Sequence, residues 1–299
     1  MPDQTIAVIG LGLMGSRMAR NLAANGFDVR GFDIDKRRTA EFEDAGGVSA
    51  RSPADAVQGC WAALLSLPNS DVSREVCLGP DGIANSGVIP FTVYDATTGR
   101  PTDAIEIGAA LAASGMTYCD TTVSGNGEIA ERGELVVMMG GPGEAFEAGI
   151  PLFSAIGRSH HYVGSVSAGI RMKLLVNHAL TIHRMALAET LVVAELAGLD
   201  LDATLEVLKD SLAYSKAMDA WGDRMIAGDH YEPFARLRQS AKDARLIVEH
   251  GHDVEAPVAL VEVVAAALAE GENTGLADLD NSAVMEVVRR RAGVGKVVP

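Results

Sequence analysis

The sequence predicts an α/β protein in two parts. A doubly wound, mostly parallel sheet is expected over residues 1–163 and an all-α domain over residues 164–299, the two joined by one long interdomain helix. Three observations carry this. Short apolar or β-branched runs alternate with helix-forming segments up to about residue 163, the pattern of βαβ units in a parallel sheet. A glycine-rich turn, Gly10-Leu-Gly-Leu-Met-Gly15, separates the first such run from the first helical segment. Beyond residue 163 the strand signal stops, and 168–197 reads as one helical stretch with scarcely a break before Gly198.

In chain order, strands are expected at 6–9, 28–32, 63–67, 92–95, 117–120 and 135–139, with helix formers between them, as at 16–25 and 101–114. The stretch 168–197 has roughly 30 residues, and at about 1.5 Å each it spans roughly 45 Å, longer than a typical domain helix and suited to bridging two domains. Further helical patterns cover 201–212, 217–227, 234–249 and 256–271. The basic cluster Arg289-Arg-Arg291 is expected to end the last helix, where cations suit the helix dipole.

The chain has 299 residues, of which 48% are hydrophobic, enough to bury a sizeable core. A net charge of −15 opposes nonspecific binding to nucleic acid or to an anionic membrane, and neither is expected as a partner. The amino terminus, Met1-Pro-Asp-Gln-Thr-Ile6, shows no basic segment ahead of an apolar one, and no apolar run approaches a membrane span; a cytoplasmic protein is expected. Cys60, Cys77 and Cys119 are too scattered for a disulfide framework. The seven histidines include no HExxH or clustered spacing, so no metal site is expected.

The glycine turn follows the apolar run 6–9 and opens a helical segment, the context in which a GxGxxG pattern binds a dinucleotide in a Rossmann domain. Gly10 permits the tight turn, Gly12 the close approach of backbone to a pyrophosphate, and Gly15 the packing of helix on strand. The helix amino terminus supplies amide donors to the anion. The second strand ends at Phe32-Asp33, where a carboxylate accepts from ribose hydroxyls; Asp33 predicts NAD, with NADP disfavoured by like charge. Lys36, Arg37 and Arg38 follow closely enough to temper that exclusion, or else form the solvated start of the next helix.

Lys173 precedes Asn177 by one helical turn, so an ammonium and a carboxamide share one face and can reach one substrate. Met172, Leu174, Leu175 and Val176 surround the pair, an apolar setting that argues against a casually solvated face.

The chain resembles the β-hydroxyacid dehydrogenase family, which includes 3-hydroxyisobutyrate dehydrogenase and tartronate semialdehyde reductase. Five segments carry the resemblance in order: Gly10 to Leu22, Leu65-Ser-Leu-Pro-Asn-Ser70, Asp95-Ala-Thr-Thr98, the substrate-binding signature from Asp120 to Gly133, and the catalytic signature from Gly164 to Asn177. The resemblance implies that Lys173 performs proton transfer and Asn177 positions the substrate. It implies that Ser124 and Gly125 hold the substrate carboxylate, with Asn126 beside them. It also implies cofactor contacts from Leu11, Leu13 and Met14 in the glycine turn, from Leu67 and Pro68, and from Thr98 and Lys242 on the nicotinamide side. A homodimer or homotetramer formed through the helical domain is a further implication.

Several positions depart from the family pattern. Asn126 replaces a second glycine, Thr122 a common proline and Ser167 a common glycine, and Phe234 lies one residue further from Lys242. Asn126 either reshapes substrate choice or caps the next turn.

The expected activity is NAD-dependent interconversion of a short 3-hydroxy acid and its semialdehyde or 3-oxo acid, with Lys173 as general acid and base. A free lysine titrates near about 10.4, so basic action at neutral pH requires burial or nearby positive charge. A second reading is an imine reductase-like or unusual-substrate reductase of the same architecture, although imine reductases generally lack a lysine at the position of Lys173. A third is a noncatalytic nucleotide-binding reader, since fold alone does not imply turnover.

Overall fold

The computed structural model describes residues 5–294. Its first part alternates strand and helix: β1 (Thr5–Ile9), α1 (Gly15–Ala24), β2 (Asp28–Phe32), α2 (Lys36–Asp44), β3 (Val48–Ser49), α3 (Pro53–Ala56), β4 (Ala62–Leu65), α4 (Ser70–Leu78), β5 (Phe91–Asp95), α5 (Pro101–Ala113), β6 (Met116–Ser124), α6 (Gly127–Glu131), β7 (Leu135–Gly140), α7 (Gly143–Ile156) and β8 (Gly157–Gly164). The helical part comprises α8 (Ala168–Leu196), α9 (Leu201–Asp210), α10 (Lys216–Ala227), α11 (Leu237–Asp253), α12 (Ala259–Gly271) and α13 (Val284–Arg291). The chain divides into two compact units, the first ending at Lys173 and the second beginning at Leu174.

The eight strands form one sheet in the order β3-β2-β1-β4-β5-β6-β7-β8. Every neighbouring pair is parallel except β6 with β7. Strand order therefore reverses between β1 and β4, and in open α/β sheets ligands bind outside the carboxyl ends of the strands at such a switch point. The central strands are buried on both faces, with Ile6, Ala7, Val8, Ala62, Ala63, Leu64 and Leu65 fully enclosed. This is why they read as continuous apolar runs and not as alternating ones. A second core, built on Leu187, Ala188, Leu191, Leu205, Met225, Leu268 and Val287, fills the helical unit.

Two strands escape the sequence pattern. β3 is two residues long at a sheet edge, and β8, Gly-Arg-Ser-His-His-Tyr-Val-Gly, is polar and largely unburied on the other edge, so neither needs an apolar run. β6 continues past Asp120 to Ser124, while β4 stops at Leu65 and leaves Leu67 in a loop. α11 begins at Leu237 and not at Phe234, because the Phe234 amide donates to Asp280 Oδ2 (2.9 Å) and Arg236 bridges to Asp280. Cys60, Cys77 and Cys119 are buried free thiols. No described helix is long and apolar enough to cross a membrane, and no group of described His, Cys, Asp or Glu residues is placed to hold a metal ion. The cluster Arg289-Arg-Arg291 forms the last turn of α13.

Where β6, β7 and the start of α8 converge, backbone approaches are too close for side chains. A Cβ on Gly169 would lie 2.2 Å from the Asp120 carbonyl oxygen, and one on Gly140 would lie 2.6 Å from that of Ser165. Both neighbours are main chain and neither can yield cheaply. Gly169→Ala is expected to destabilise the protein on the order of 3 kcal/mol, the upper range for overpacking a filled site. Urea titration followed by circular dichroism checks this; an unchanged midpoint would mean that the junction is pliable.

Candidate active site

The site is assembled first from turns at the carboxyl ends of the strands. Gly10, at φ +92°, turns the chain out of β1, and its amide donates to Phe32 O on β2 (2.8 Å). A Cβ there would lie 2.3 Å from Ser66 O in the loop after β4, and one on Gly15 would lie 1.8 Å from Gly10 O. These two glycines serve the fold itself. Gly12 is different: a Cβ on it would meet nothing nearer than the Arg38 guanidinium at 3.6 Å. Of the described residues beyond the turn itself, the Arg38 side chain alone comes within 4 Å of that point and no backbone does, so Gly12 leaves the main chain accessible for the close approach of a pyrophosphate. Leu13 is exposed and Met14 is the N-cap of α1, which no side chain caps and whose first turn carries no acid, so its amides suit an anion. These features fit a dinucleotide.

Asp33 follows β2 with its side chain 5% exposed. Its Oδ2 accepts from the Leu11 amide (2.8 Å) and from Arg38 Nη1 (3.3 Å), and its Oδ1 from the Asp35 amide (2.8 Å). Three donors on a carboxylate with about four acceptor sites leave capacity for one more, such as a ribose hydroxyl. Of the three cations that follow, Lys36 and Arg37 are exposed, in keeping with a solvated helix start, whereas Arg38 turns back onto the acid.

The loops after β4 and β5 are held by a buried acid absent from the sequence-based set. Asp95 ends β5 and accepts from the Thr97 amide (2.9 Å) and the Tyr118 hydroxyl (3.0 Å). Thr97 Oγ1 in turn accepts from the Leu67 amide (3.1 Å). One carboxylate thus sets the loop carrying Thr98 and, through Thr97, the loop carrying Leu67 and Pro68. Burial raises the Asp95 carboxyl above the usual range.

Asp120 is the register partner of Asp95 on the neighbouring strand and has no exposed surface. Its Oδ1 accepts from the Ser167 amide and its Oδ2 from the Ile170 amide, both at 2.8 Å. Two residues on, Thr122 Oγ1 donates to Gly169 O (2.8 Å), a contact that proline could not make. β6 therefore grips the first turn of α8 from Asp120 and Thr122, while its end carries Ser124 and the next turn of α8 carries Lys173. Ser167 adopts φ +82°, which explains why glycine suits that position. Burial pushes the Asp120 carboxyl up to about 7, against the lowering effect of the Ile170 and Ser167 amides.

Gly125 sits at φ +149°, where a Cβ would meet Leu135 and Ile129 at 2.7 and 2.8 Å, so glycine is required. Asn126 caps α6, its Oδ1 accepting from the Ile129 amide (3.0 Å). Lys173 is half-buried, but its surroundings are wetter than the apolar run suggests: Leu174 is buried, whereas Met172 and Leu175 are 37% and 57% exposed. The helix buries one stripe only, and the run wraps around it.

In the second unit, Asn177 Nδ2 donates to Asp243 Oδ2 (2.9 Å), and Lys242 Nζ lies 3.2 Å from Asp243 Oδ1. Asp243 thus links the α8 carboxamide to the α11 ammonium. Arg184, two turns beyond Asn177, stacks over Trp221 at 5.0 Å; burial pulls its guanidinium down to about 10, opposed by the charges of Asp280 and Asp243. Sequence reading missed Asp95, Asp120 and Asp243, although each stands inside a segment it singled out: the first two open their signatures and the third follows Lys242.

A glycine turn with no backbone packed over its second glycine, an acid at the end of the second strand and a lysine on the helix after the sheet together define a dinucleotide-dependent oxidoreductase. Residues 5–164 match the family described as the NAD binding domain of 6-phosphogluconate dehydrogenase, and residues 167–288 that described as NAD-binding of NADP-dependent 3-hydroxyisobutyrate dehydrogenase. The chain is 30% identical to 2-(hydroxymethyl)glutarate dehydrogenase of Eubacterium barkeri over 97% of its length and 96% of the relative's. It is 29% identical to glyoxylate/succinic semialdehyde reductase 1 of Arabidopsis thaliana over 95% and 98%. A solved structure of Mycobacterium tuberculosis 3-hydroxyisobutyrate dehydrogenase with L-serine is similar at TM-score 0.85 and 27% identity, covering 95% of this chain and 99% of that one. The chain belongs to the β-hydroxyacid dehydrogenase family of NAD(P)-dependent oxidoreductases.

The raised Asp120 carboxyl has a consequence for stability. A group whose pKa rises on folding, here from 3.8 to about 7, stabilises the fold below the lower value and loses that contribution as pH climbs to the upper one. The stability advantage of wild type over Asp120→Asn is expected to shrink by up to about 1.4 kcal/mol per pH unit between those values and then level off. Urea titrations from pH 5 to pH 8 read it; an advantage that grows with pH would show that the two amides keep Asp120 ionised.

Proposed function

We propose that the protein interconverts a short 3-hydroxy acid and its semialdehyde or 3-oxo acid, with NAD preferred. The carrying observation is that Asp120 and Thr122 bind the start of α8 to the strand ending in Ser124, which sets Lys173 and the Ser124-Gly125 turn on one rigid frame. NAD, held by the glycine turn and Asp33, would supply the hydride acceptor for the oxidation. The hydroxyl of Ser124 and the amide of Gly125 hold the substrate carboxylate. Lys173 takes the hydroxyl proton during oxidation and, as ammonium, returns it to the forming alkoxide during reduction. Asn177, its carboxamide held by Asp243, orients the reacting hydroxyl.

Similarity supports the substrate class: the relatives act on hydroxymethylglutarate and on glyoxylate or succinic semialdehyde, and the solved dehydrogenase holds L-serine, itself a 3-hydroxy acid. Asp33 supports the preference for NAD. Leu11, Leu13, Met14, Leu67, Pro68, Thr98 and Lys242 complete the proposed cofactor contacts, and Asn126, with its oxygen committed to the Ile129 amide, presents its remaining amide donor beside the carboxylate site.

NADH formation against a panel of 3-hydroxy acids tests the reading. Lys173→Ala is expected to lower kcat at least about 100-fold, the low end for loss of a general acid–base group, with NAD affinity retained. Near-full turnover in that variant would remove Lys173 from the mechanism.

The helical unit exposes Leu196, Leu199, Val207, Leu212, Leu260 and Val263, each at 60% or more, which supports a homodimer or homotetramer formed through that unit. Light scattering is expected to give a multiple of the 31.3 kDa chain mass, and Leu212→Lys with Val207→Lys to shift the population toward monomer. A wild-type mass equal to one chain would overturn the assembly.

A further inference from the structure

Arg184 stands on the same face of α8 as Asn177, two turns and about 10 Å further along the axis. Side chains on a helix lean toward its amino terminus, so the long arginine stem carries its guanidinium back toward Asn177, where the Asp243 charge acts on it. The residue is 4% exposed. A guanidinium has five N–H donors, and among the described residues only one bond takes them up, from Nη2 to Thr181 Oγ1 at 3.0 Å. The group lies over the Trp221 ring, 5.0 Å from its centroid, and Trp221 Nε1 is itself buried with no hydrogen-bond partner among the described residues. Two buried donor groups therefore meet at one place in the helical unit.

The nearby acids do not complete this arginine. Asp243 is engaged with Asn177 and Lys242, and Asp280 with Arg224 (3.3 Å) and with the Phe234 and Ser282 amides. Burial pulls the guanidinium down only to about 10, so it is a cation at neutral pH. An enclosed cation resting on one neutral hydroxyl is costly to the fold and is better satisfied by an anion. A carboxylate fits the donors: its two oxygens take parallel bonds from the planar fork and keep lone pairs for the indole N–H.

We propose that Arg184, together with Trp221 Nε1, binds a second carboxylate at the end of the substrate away from the reacting hydroxyl, so that the protein selects 3-hydroxy acids that are diacids. This rests on the reading of Asn177 as the residue that orients that hydroxyl.

Calorimetric titration of the NAD-loaded full chain with succinate, glutarate and adipate, each beside the monoacid of equal chain length, tests the site without turnover. Steady-state oxidation of 2-(hydroxymethyl)glutarate and of 2-(hydroxymethyl)pentanoate, which differ only in a terminal carboxylate or methyl, gives a second readout. Wild type is expected to favour the diacid of best length about tenfold or more, the effect of hydrogen bonds to a charged group. Arg184→Met is expected to abolish that preference while leaving the monoacid within about threefold, and Arg184→Lys, which keeps charge without the fork, to fall between. Trp221→Phe keeps the ring beneath the guanidinium and removes only the N–H, and is expected to weaken the diacid alone. Unchanged circular dichroism shows that the variants are folded. The proposal is overturned if wild type binds no diacid better than its monoacid, or if Arg184→Met and Trp221→Phe weaken both acids equally or neither. Diacid binding that depends on Arg184, in a wild type that oxidises neither hydroxy acid, would instead sink the proposed reaction and leave the carboxylate site standing.

Discussion

The buried carboxylate of Asp120, bonded to the Ser167 and Ile170 amides, is the contact on which the arrangement of the first unit depends. A parallel sheet positions loops at its carboxyl edge but does not by itself orient the helix that leaves its last strand. Here the strand carrying the proposed carboxylate-binding turn reaches across to that helix and satisfies two of its first free amides with a single side chain, which serves as an N-cap drawn from elsewhere in the chain. Gly140 and Gly169 permit the approach because no side chain fits between the backbones.

Asp95, the register neighbour of Asp120, repeats the device one strand earlier. It shapes the Thr97–Thr98 turn and, through the Thr97 hydroxyl, the Leu67 loop. Two buried acids side by side are costly to desolvate, and the pKa of each rises accordingly. Their amide and hydroxyl donors offset part of that cost and hold the surrounding loops in one conformation. Catalysis that depends on orientation benefits from such rigidity, since a misplacement on the order of 1 Å can cost about 100-fold in rate. Asp243 performs a comparable service in the helical unit, where it links Asn177 with Lys242.

Departures from the family pattern become intelligible in these terms. Thr122 replaces proline and uses the freedom to bind Gly169 O, Ser167 replaces glycine at a left-handed position, and Asn126 replaces glycine as a helix cap. The Thr122 and Asn126 side chains each gain a specific hydrogen bond in exchange for a backbone preference, whereas the Ser167 contact with Asp120 is made by its backbone amide. The capping role of Asn126 was one of the two open from sequence.

Most of the architecture was legible from the chain alone. Strands buried on both faces must be continuously apolar, a GxGxxG turn needs its glycines for local reasons, and the long helix shows an unbroken helical pattern; these properties are local, and sequence records them. The short edge strand β3 and the polar β8 left little trace, because neither is enclosed on both faces. The pairing of Asp95 with Thr97 and Tyr118, of Asp120 with α8, of Asp243 with Asn177, and of Arg38 with Asp33 was decided by tertiary structure. An acid near a strand end or in a helix looks the same in sequence whether it faces water or a buried amide, and only the fold brings its partner, up to 66 residues away, within hydrogen-bonding distance.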